Sequence, residues 1–214
     1  KIQVQSDGGL IMAIISNATT IADAGSFSAS LGDMVHIKTL TASNTANLTF
    51  IHGSSSVVFN STYPLYIFKF FNVRIASDTE ALCFNVTTDG SNFNVAKQSN
   101  YYRSRHTEGD ATTFEGQFGN SLANGTGLQN IQTDMASDTA HSLNGEMAIF
   151  NPAQTVTHKH FFCTTNNATA SDATQTGYLA GYINTTSAVT GVRFQANTGN
   201  LTVGSIALYG IKDS

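Results

Sequence analysis

The sequence predicts an all-β protein, an antiparallel β-sandwich of jelly-roll type over residues 34–214 with an extended N-terminal arm over residues 1–33. Three observations lead to this prediction. Only 11% of the residues are charged, against about 25% in an ordinary soluble domain. Ser, Thr, Asn and Gly stand in their place, and these residues favour strands and turns over helices. Short alternating apolar runs recur between the polar stretches, about ten in all, and none has a convincing helical period.

Composition also limits the classes of function. Hydrophobic residues make up 41% of the chain and include 14 Phe and 7 Tyr, so the chain can bury a substantial core instead of remaining disordered. The net charge is −4 with 10 Lys and Arg, so we expect no basic patch and no nucleic-acid partner. No apolar run approaches the roughly 20 residues that a membrane span needs, so we expect no membrane insertion.

The first 33 residues differ in pattern from the rest. Residues 1–5 alternate polar and apolar side chains, Gly8 and Gly9 interrupt them, and residues 10–15 form a short apolar run. This pattern is typical either of an arm that docks on a neighbouring subunit by strand addition or of an irregular edge of the same domain. We favour the arm. Its expected contacts are Lys1, Ile2, Val4, Leu10, Ile11, Ile14 and Ile15.

Turn residues separate the strand patterns in the first half of the domain. These patterns predict strands over 36–41, 48–51, 66–75, 81–87 and 92–102. The first two strands flank a polar turn at residues 44–47 and are predicted to form a hairpin. Asp89-Gly90 is a strong tight-turn dipeptide, and it leads from the fourth of these strands into the fifth.

The second half begins with residues 116–127, which are rich in Gly, Asn and Ser and are predicted to be irregular. Strands resume over 142–150, 156–164, 177–184, 190–196 and 202–211. Alternation and clustered aromatic residues also predict the core. Its expected members are Phe68, Phe70, Leu82, Phe84, Phe150, Phe161, Phe194 and Leu208.

The two cysteines, Cys83 and Cys163, each lie in an apolar strand-like run. Two buried free thiols are the favoured interpretation, because a free cysteine behaves as a small hydrophobic residue. A disulfide between neighbouring strands is the alternative, and the sequence does not decide between the two. A zinc site would need further ligands at suitable spacing, and none is evident.

The densest polar constellation in the sequence is a candidate contact with a ligand or a subunit. It consists of Tyr101, Tyr102, Arg103, Arg105 and His106. Tyr rings offer stacking faces and Arg offers planar donors for sugar hydroxyls or carboxylates. The alternative is a strand end at which the tyrosines pack and the arginines pair with the nearby Glu108 and Asp110.

No catalytic residue, metal ligand or cofactor is predicted. His158 and His160 lie two apart on one strand face with Lys159 opposite, but no third ligand is visible, so ordinary sheet-face residues are expected. The acids are scattered, whereas a glycosidase needs two carboxylates across a cleft. There is no nucleophile elbow, phosphate-binding loop or dinucleotide-binding fingerprint. We therefore expect a protein that is not an enzyme.

Short segments in consistent order between residues 36 and 212 resemble a known group of proteins. The segments are Leu40–Ser43, Phe59–Tyr63 through Asn72-Val73, Phe84–Gly90, Leu143–Glu146 with Ile149–Pro152, Thr185–Val189 with Arg193-Phe194, and the closing Leu208-Tyr209-Gly210-Ile211. They resemble small virion structural proteins of tailed, mostly marine, bacteriophages, usually labelled tail-fibre, head-fibre or structural proteins. The matching segments are strand and turn patterns, so the resemblance implies a β-sandwich and a virion location more directly than a molecular role.

The resemblance implies a non-enzymatic structural protein on the virion surface, either a capsid decoration protein or a short fibre. It implies a homo-oligomer, with a trimer favoured, whose partners are its own copies and neighbouring virion proteins. In this family attachment to the particle often resides in the segment before the sandwich, here residues 1–33. The alternative is a tail-fibre module that binds a host receptor or surface glycan.

Overall fold

The computed structural model describes the backbone of residues 2–7, 11–16, 19–23, 26–27 and 33–213. It describes side chains from residue 33 onward, apart from residue 118. The chain divides into two compact units, one within residues 1–34 and one within residues 35–213.

The first unit contains a four-stranded antiparallel sheet whose strands follow one another in chain order. They are β1 (Ile2–Asp7), β2 (Ile11–Ser16), β3 (Thr19–Asp23) and β4 (Ser26–Phe27). The strand expected at residues 1–5 is present as β1, and it pairs with β2 of the same chain. Of the predicted contact residues, Lys1 and Leu10 lie outside the described residues, as do the side chains of the other five. Docking of this segment on a neighbouring subunit stays a prediction.

The second unit is built from strands and one short 3₁₀ helix at Phe118–Asn120. The strands are β5 (Met34–Thr41), β6 (Leu48–Ile51), β7 (Leu65–Ile75), β8 (Glu80–Thr87), β9 (Lys97–Thr107), β10 (Thr112–Gly116), β11 (Gln129–Met135), β12 (Leu143–Phe150), β13 (Lys159–Ala168), β14 (Ala173–Ile183), β15 (Gly191–Ala196) and β16 (Leu201–Ile211).

These strands form two antiparallel sheets that pack as a sandwich. The large sheet has eight strands in the order β10-β9-β14-β13-β12-β7-β16-β5, and the small sheet has four in the order β11-β8-β15-β6. The predicted all-β antiparallel sandwich is therefore confirmed. Consecutive strands often lie in different sheets, so the chain crosses repeatedly between the two layers.

The predicted hairpin of residues 36–41 and 48–51 is wrong. Both strands exist, but β5 lies beside β16 in the large sheet and β6 lies beside β15 in the small sheet. After β5 the chain continues along β16, where Ala42 N donates to Gly204 O and Thr45 N donates to Leu201 O. It then crosses so that Leu48 and Phe50, both buried, enter the interior from the other side.

Most other strand boundaries lie within two residues of prediction, and the exceptions are the following. The strand expected over 156–164 runs over Lys159–Ala168, and the one expected over 177–184 runs over Ala173–Ile183. The strand expected over 92–102 begins at Lys97 and runs to Thr107. Strands β10 and β11 were not predicted, because their residues are mostly Thr, Gln and Asn and carry few apolar side chains.

Aromatic rings from both sheets meet in the apolar half of the interior. Phe68 and Phe70 of β7 contact Phe194 of β15 edge to face, with ring centroids 5.0 Å and 5.4 Å away. Phe84 of β8 contacts Phe161 of β13 in the same manner at 5.2 Å. Such pairs add about 0.5–1.5 kcal/mol to the burial of their area.

Seven of the eight predicted core residues are buried, and Phe150 is the exception. Alternation along β12 places Ile149 inward and Phe150 outward. Phe150 is 38% exposed and packs edge to face against Phe162 on the outer side of the large sheet, with centroids 5.9 Å apart. The prediction of Phe150 as a core residue is therefore wrong, because the pairing of β12 with its neighbours turns the side chain of Phe150 outward and that of Ile149 inward.

The other half of the interior is polar. Where β11 faces β13 and β14, the fully buried side chains of Gln132 and Gln175 lie between the sheets. Thr165 Oγ1 donates to Gln132 Oε1 at 3.0 Å, and Gln175 Nε2 donates to Thr133 O at 2.8 Å. Gln132 Nε2 also donates to Asn167 Oδ1. These bonds pair both polar atoms of the Gln132 amide and the nitrogen of the Gln175 amide, while Gln175 Oε1 is buried without a hydrogen-bond partner among the described residues. Pairing of this kind is what a buried polar network needs in order not to destabilise the fold.

Candidate functional site

Strand alternation divides the predicted constellation between the two faces of β9. Tyr101, Arg103 and Arg105 share one face, while Tyr102 and His106 lie on the other, because successive side chains of a strand point in opposite directions. The sequence therefore located two surfaces and not one site. Tyr101 is 1% exposed, its hydroxyl donates to Gln132 Oε1 at 3.3 Å, and burial raises its pKa.

The arginines form an ion-pair cluster with acids from other strands. Arg103 Nε donates to Glu115 Oε1 at 2.7 Å, and Arg103 Nη1 donates to Asp134 Oδ2. Arg105 Nη1 lies 3.7 Å from Asp134 Oδ2, and Arg105 Nη2 donates to Ser171 Oγ at 3.0 Å. We define Arg103, Arg105, Glu115 and Asp134 as the arginine cluster.

The acids that pair with the arginines differ from the expected Glu108 and Asp110. Strand β10 turns back on β9 and places Glu115 directly opposite Arg103, while Asp134 reaches the arginines from the small sheet. Asp110 contacts His106 instead, with Oδ1 and Nε2 3.1 Å apart. These partners could not be identified from the sequence, because the strands that carry them, β10 and β11, were not predicted. The alternation of Thr113 and Glu115 with Phe114 was the one signal for β10.

The arginine cluster lines a polar cleft at the edge of the sandwich. The cleft has a volume of about 460 Å³, and its walls include Arg103, Arg105, Asn120, Asn130, Asp134 and Asn197. A second cleft of about 340 Å³ continues from it, sharing Arg105, Asp134 and Thr79 and ending at Ser171. We call the two together the polar cleft.

Two residues of the polar cleft have backbone conformations that L-residues rarely adopt. Asp134 has φ +54° and Thr79 has φ +62°. Asp134 lies in an irregular stretch of β11, where the register with β8 shifts between Gln132 and Met135. Such conformations cost about 1–3 kcal/mol each and are found preferentially at binding sites and active sites.

The outer side of the large sheet carries a row of exposed aromatic rings. Phe114 is 71% exposed, Phe162 is 55% exposed, and Tyr102 and Tyr178 are each 44% exposed. Tyr102 and Tyr178 are directly opposed in the pairing of β9 with β14, and the Phe114 ring stacks on Tyr102 with an interplanar angle of 5°. We call these four residues the aromatic face.

A shallow groove runs through the aromatic face. It has a volume of about 160 Å³ and is lined by Tyr102, Tyr178 and Phe162 with polar neighbours such as Asn100 and Thr164. Further along the row of Tyr102 and Tyr178, Lys69 and Glu146 neutralise each other, with Nζ and Oε2 3.2 Å apart. The outer side thus combines rings, hydroxyls and amides with compensated charge.

No family model matches the chain, and no curated protein sequence matches it. Among the described residues, no helix is long and apolar enough to cross a membrane. The functional interpretation therefore depends on the geometry of the two surfaces and on the segment resemblance.

The histidines at 158 and 160 lie beside a tyrosine ring. His158 stacks on Tyr182 with centroids 5.1 Å apart, and His160 contacts the same ring at 6.1 Å. Lys159 faces the opposite way, as predicted, and is fully buried. Its Nζ donates to the carbonyl oxygen of Thr186 at 2.8 Å. Within the described part of the chain, no three His, Cys, Asp or Glu residues are placed to hold a metal ion.

Both cysteines are buried free thiols, so the favoured interpretation is confirmed and the disulfide is not formed. Burial raises the pKa of Cys83 to about 12 and raises that of Cys163 further still. Neither thiol is a nucleophile near neutral pH, because the thiolate is the reactive form.

Proposed function

We propose that the protein is a non-enzymatic structural protein of the phage virion surface, acting as capsid decoration or as a short fibre. We also propose that it assembles as a homo-oligomer, a trimer, through the aromatic face. The observation that carries the proposal is the exposure of Phe114, Phe162, Tyr102 and Tyr178 on a broad sheet with compensated charge.

The composition of the aromatic face supports an interface between proteins. Interfaces are enriched in aromatic residues, and their centres are depleted of charge. The four rings expose about 400 Å² if a fully exposed aromatic residue offers about 200 Å². That is about half of the roughly 800 Å² that each partner buries in a standard interface. The Ser, Thr and Asn side chains of the same side of the sheet can supply the rest.

The strand order supports the jelly-roll form of the sandwich. Four strands of the large sheet run β5-β16-β7-β12, and the small sheet runs β6-β15-β8-β11. When the two orders are compared position by position, each strand of one sheet corresponds to a strand of the other that is next to it in the chain, as expected for a hairpin wound into two layers. The hairpins β9–β10 and β13–β14 then extend the large sheet on one side. Jelly rolls are common in viral capsid proteins.

Contacts between the resembling segments support a shared fold. A side chain at Gly210, in the closing Leu-Tyr-Gly-Ile strand, would come within 2.4 Å of the Tyr63 ring, which belongs to another resembling segment. Asn151 N donates to Pro64 O, and Val189 N donates to Pro152 O. The contacts of Gly210 and Asn151 join neighbouring strands of the large sheet, and that of Val189 joins the approach to β15 with the end of β12. The resemblance to virion proteins therefore concerns the architecture, and the virion location is proposed on that basis.

Sedimentation of the purified full-length chain tests the assembly. We expect a trimer at micromolar concentration, and we expect Tyr102→Ser with Phe114→Ser to shift the protein to monomer. Val156→Ser is the matched control, because Val156 is 81% exposed but lies outside the aromatic face. A wild-type protein that sediments only as monomer contradicts the proposed oligomer.

Protein counting in purified particles tests the location. We expect the chain at tens to hundreds of copies per particle if it decorates the capsid, and at about a dozen if it belongs to a tail fibre. Particles that lack the chain altogether contradict the virion proposal.

A further inference from the structure

We propose that the polar cleft binds a neutral hexopyranose sugar, with Asp134 and Arg105 as the central contacts. This site goes beyond the proposed assembly role and lies on the opposite face of β9 from Tyr102 of the aromatic face.

The walls of the polar cleft match a polyhydroxylated ligand. Asn120, Asn130 and Asn197 supply amides, Thr79 and Thr133 supply hydroxyls, and the arginine cluster supplies charged donors and acceptors. Amides and hydroxyls both donate and accept, as sugar hydroxyls do. Hydrogen bonds to charged groups are the stronger ones, at about 1.5–3 kcal/mol each. The volume of about 460 Å³ lies within the range of small-molecule sites.

The charge of the arginine cluster favours a neutral ligand. Two guanidinium groups face two carboxylates within it, so the formal charges cancel. A phosphate would place its negative charge beside Asp134, and a cation would place its positive charge beside Arg105. A neutral sugar meets neither repulsion.

Arg103 and Arg105 differ in how much hydrogen-bonding capacity they retain. Arg103 donates to both Glu115 and Asp134, so ion pairing within the fold accounts for it. Arg105 Nη1 is 3.7 Å from Asp134 Oδ2, which is beyond hydrogen-bond reach. The hydrogen bond that Arg105 makes within the described residues goes from Nη2 to Ser171 Oγ. Among the described residues, the hydrogen bond and the ion pairs of the Asp134 carboxylate go to Oδ2. Arg105 and Asp134 both line the cleft, so the remaining donors of Arg105 and the Oδ1 acceptor of Asp134 can bind adjacent sugar hydroxyls.

The contacts are also held in place before any ligand arrives. The side chains of Arg105 and Asp134 are 22% and 32% exposed. Arg103 Nη1 donates to Asp134 Oδ2 and so holds the carboxylate in place. Asn197 accepts from Ala81 N at 2.6 Å, and Asn130 Nδ2 donates to Asn120 Oδ1 at 2.5 Å. Pre-ordered side chains reduce the entropy lost on binding. Asp134, whose φ is +54°, lines both parts of the polar cleft.

Ligand-observed and protein-observed NMR on the full-length chain test the site. The probes are glucose, galactose, mannose and N-acetylglucosamine, with glucuronate and inorganic phosphate as charged comparators. We expect at least one neutral sugar to bind and to shift amide signals of β9 and β11. We expect Arg105→Gln and Asp134→Asn to weaken binding at least tenfold. Asn tolerates positive φ, so Asp134→Asn preserves the backbone, and Ser171→Ala provides a milder variant that releases Arg105.

Val156→Ser is the matched control, because Val156 is 81% exposed and belongs neither to the polar cleft nor to the aromatic face. It should bind the sugar as the wild-type protein does. The proposal is overturned if no neutral sugar binds, if phosphate or glucuronate binds more tightly, or if Val156→Ser abolishes binding while Arg105→Gln does not. Sedimentation without sugar reports on the assembly separately, so failure of either proposal can be recognised.

Discussion

Phe194 makes edge-to-face contacts with Phe50, Phe68 and Phe70 and is fully buried. We expect Phe194→Ala to lower the free energy of unfolding by about 3–5 kcal/mol, because it leaves a cavity between the two sheets. Urea denaturation measures the loss. Phe71→Ala is the control: Phe71 lies on the outer side of β7, outside the aromatic face, and is 43% exposed, so the expected loss is below about 1 kcal/mol. Equal losses for the two variants would contradict the assignment of inner and outer faces.

Lys97 is fully buried, and its Nζ donates to Asn85 Oδ1 at 2.7 Å and to Val95 O at 3.0 Å. Desolvation lowers its pKa from 10.5 to about 8. The folded chain therefore releases this proton at lower pH than the unfolded chain does. Between about pH 8 and 10.5 the unfolded chain binds more protons, and the Lys97 contribution to stability rises with pH.

Replacing Lys97 by Met removes this titration. We expect the stability of the wild-type protein relative to Lys97→Met to increase from pH 8 to 10.5 and to be constant below pH 7. Urea midpoints at several pH values measure the difference, which cancels the titration of other groups. Lys38→Met, at a partly exposed position on β5, is the control. Parallel profiles for the wild type and Lys97→Met would show that Lys97 is not desolvated.

At the residue scale, aromatic positions were the most predictable part of the fold. Large apolar side chains at alternating positions identify strands and their inner faces, as with Phe68 and Phe194. Phe150 was assigned wrongly because Ile149 beside it is equally apolar, and only the pairing of β12 decides between them. Gln132 and Gln175 could not be predicted as buried, because an amide is normally exposed and becomes buried only when a partner lies opposite.

Strand β14 approaches β11 closely at Gly177. A side chain there would place Cβ 2.1 Å from Gln132 Oε1 and 2.9 Å from the Tyr101 hydroxyl oxygen. We expect Gly177→Ala to destabilise the protein by about 1–3 kcal/mol, because it separates the buried amides from their partners. Thermal melting measures this loss. Gly109→Ala, in the turn before β10, is the control, because its Cβ would meet no atom closer than 3.8 Å. Similar melting temperatures for the two variants would contradict a tightly packed polar interior.

At the element scale, strands were predictable and their partners were not. The sequence shows where β5 and β6 begin and end, but both join strands more than 130 residues away along the chain, at β16 and β15. A short polar turn between two strands suggested a hairpin, although the same turn also serves a crossing between sheets. The arginine cluster was half predicted for the same reason: Arg103 and Arg105 stand out in the sequence, whereas Glu115 and Asp134 are brought to them by pairing.

At the scale of the whole molecule, the division into two units predicts that residues 1–33 can be removed without unfolding the sandwich. We expect a chain lacking residues 1–33 to remain folded, with a β-type circular dichroism spectrum and a cooperative melting transition, because residues 35–213 contain their own core. We expect the same truncation to abolish incorporation into particles, since the arm is proposed as the attachment segment. Quantitative mass spectrometry of particles measures incorporation. A truncated chain that unfolds, or that joins particles at normal copy number, contradicts the arm.

The position of β16 has a consequence for the order in which the chain can fold. This strand follows all the other strands of the sandwich along the chain, yet it lies between β7 and β5 in the large sheet. Strand β5 closes one end of that sheet and must wait for β16, so the first and last strands of the sandwich join in one late step. Pairing between such distant segments is slow. A nascent chain that has not yet released Leu201–Ile211 presents the open edge of β7, and open edges recruit strands from other chains. Loss of this one strand would therefore lead the protein to aggregate, although nine of the other eleven strands from β5 onward keep every neighbour they have in the finished sheets.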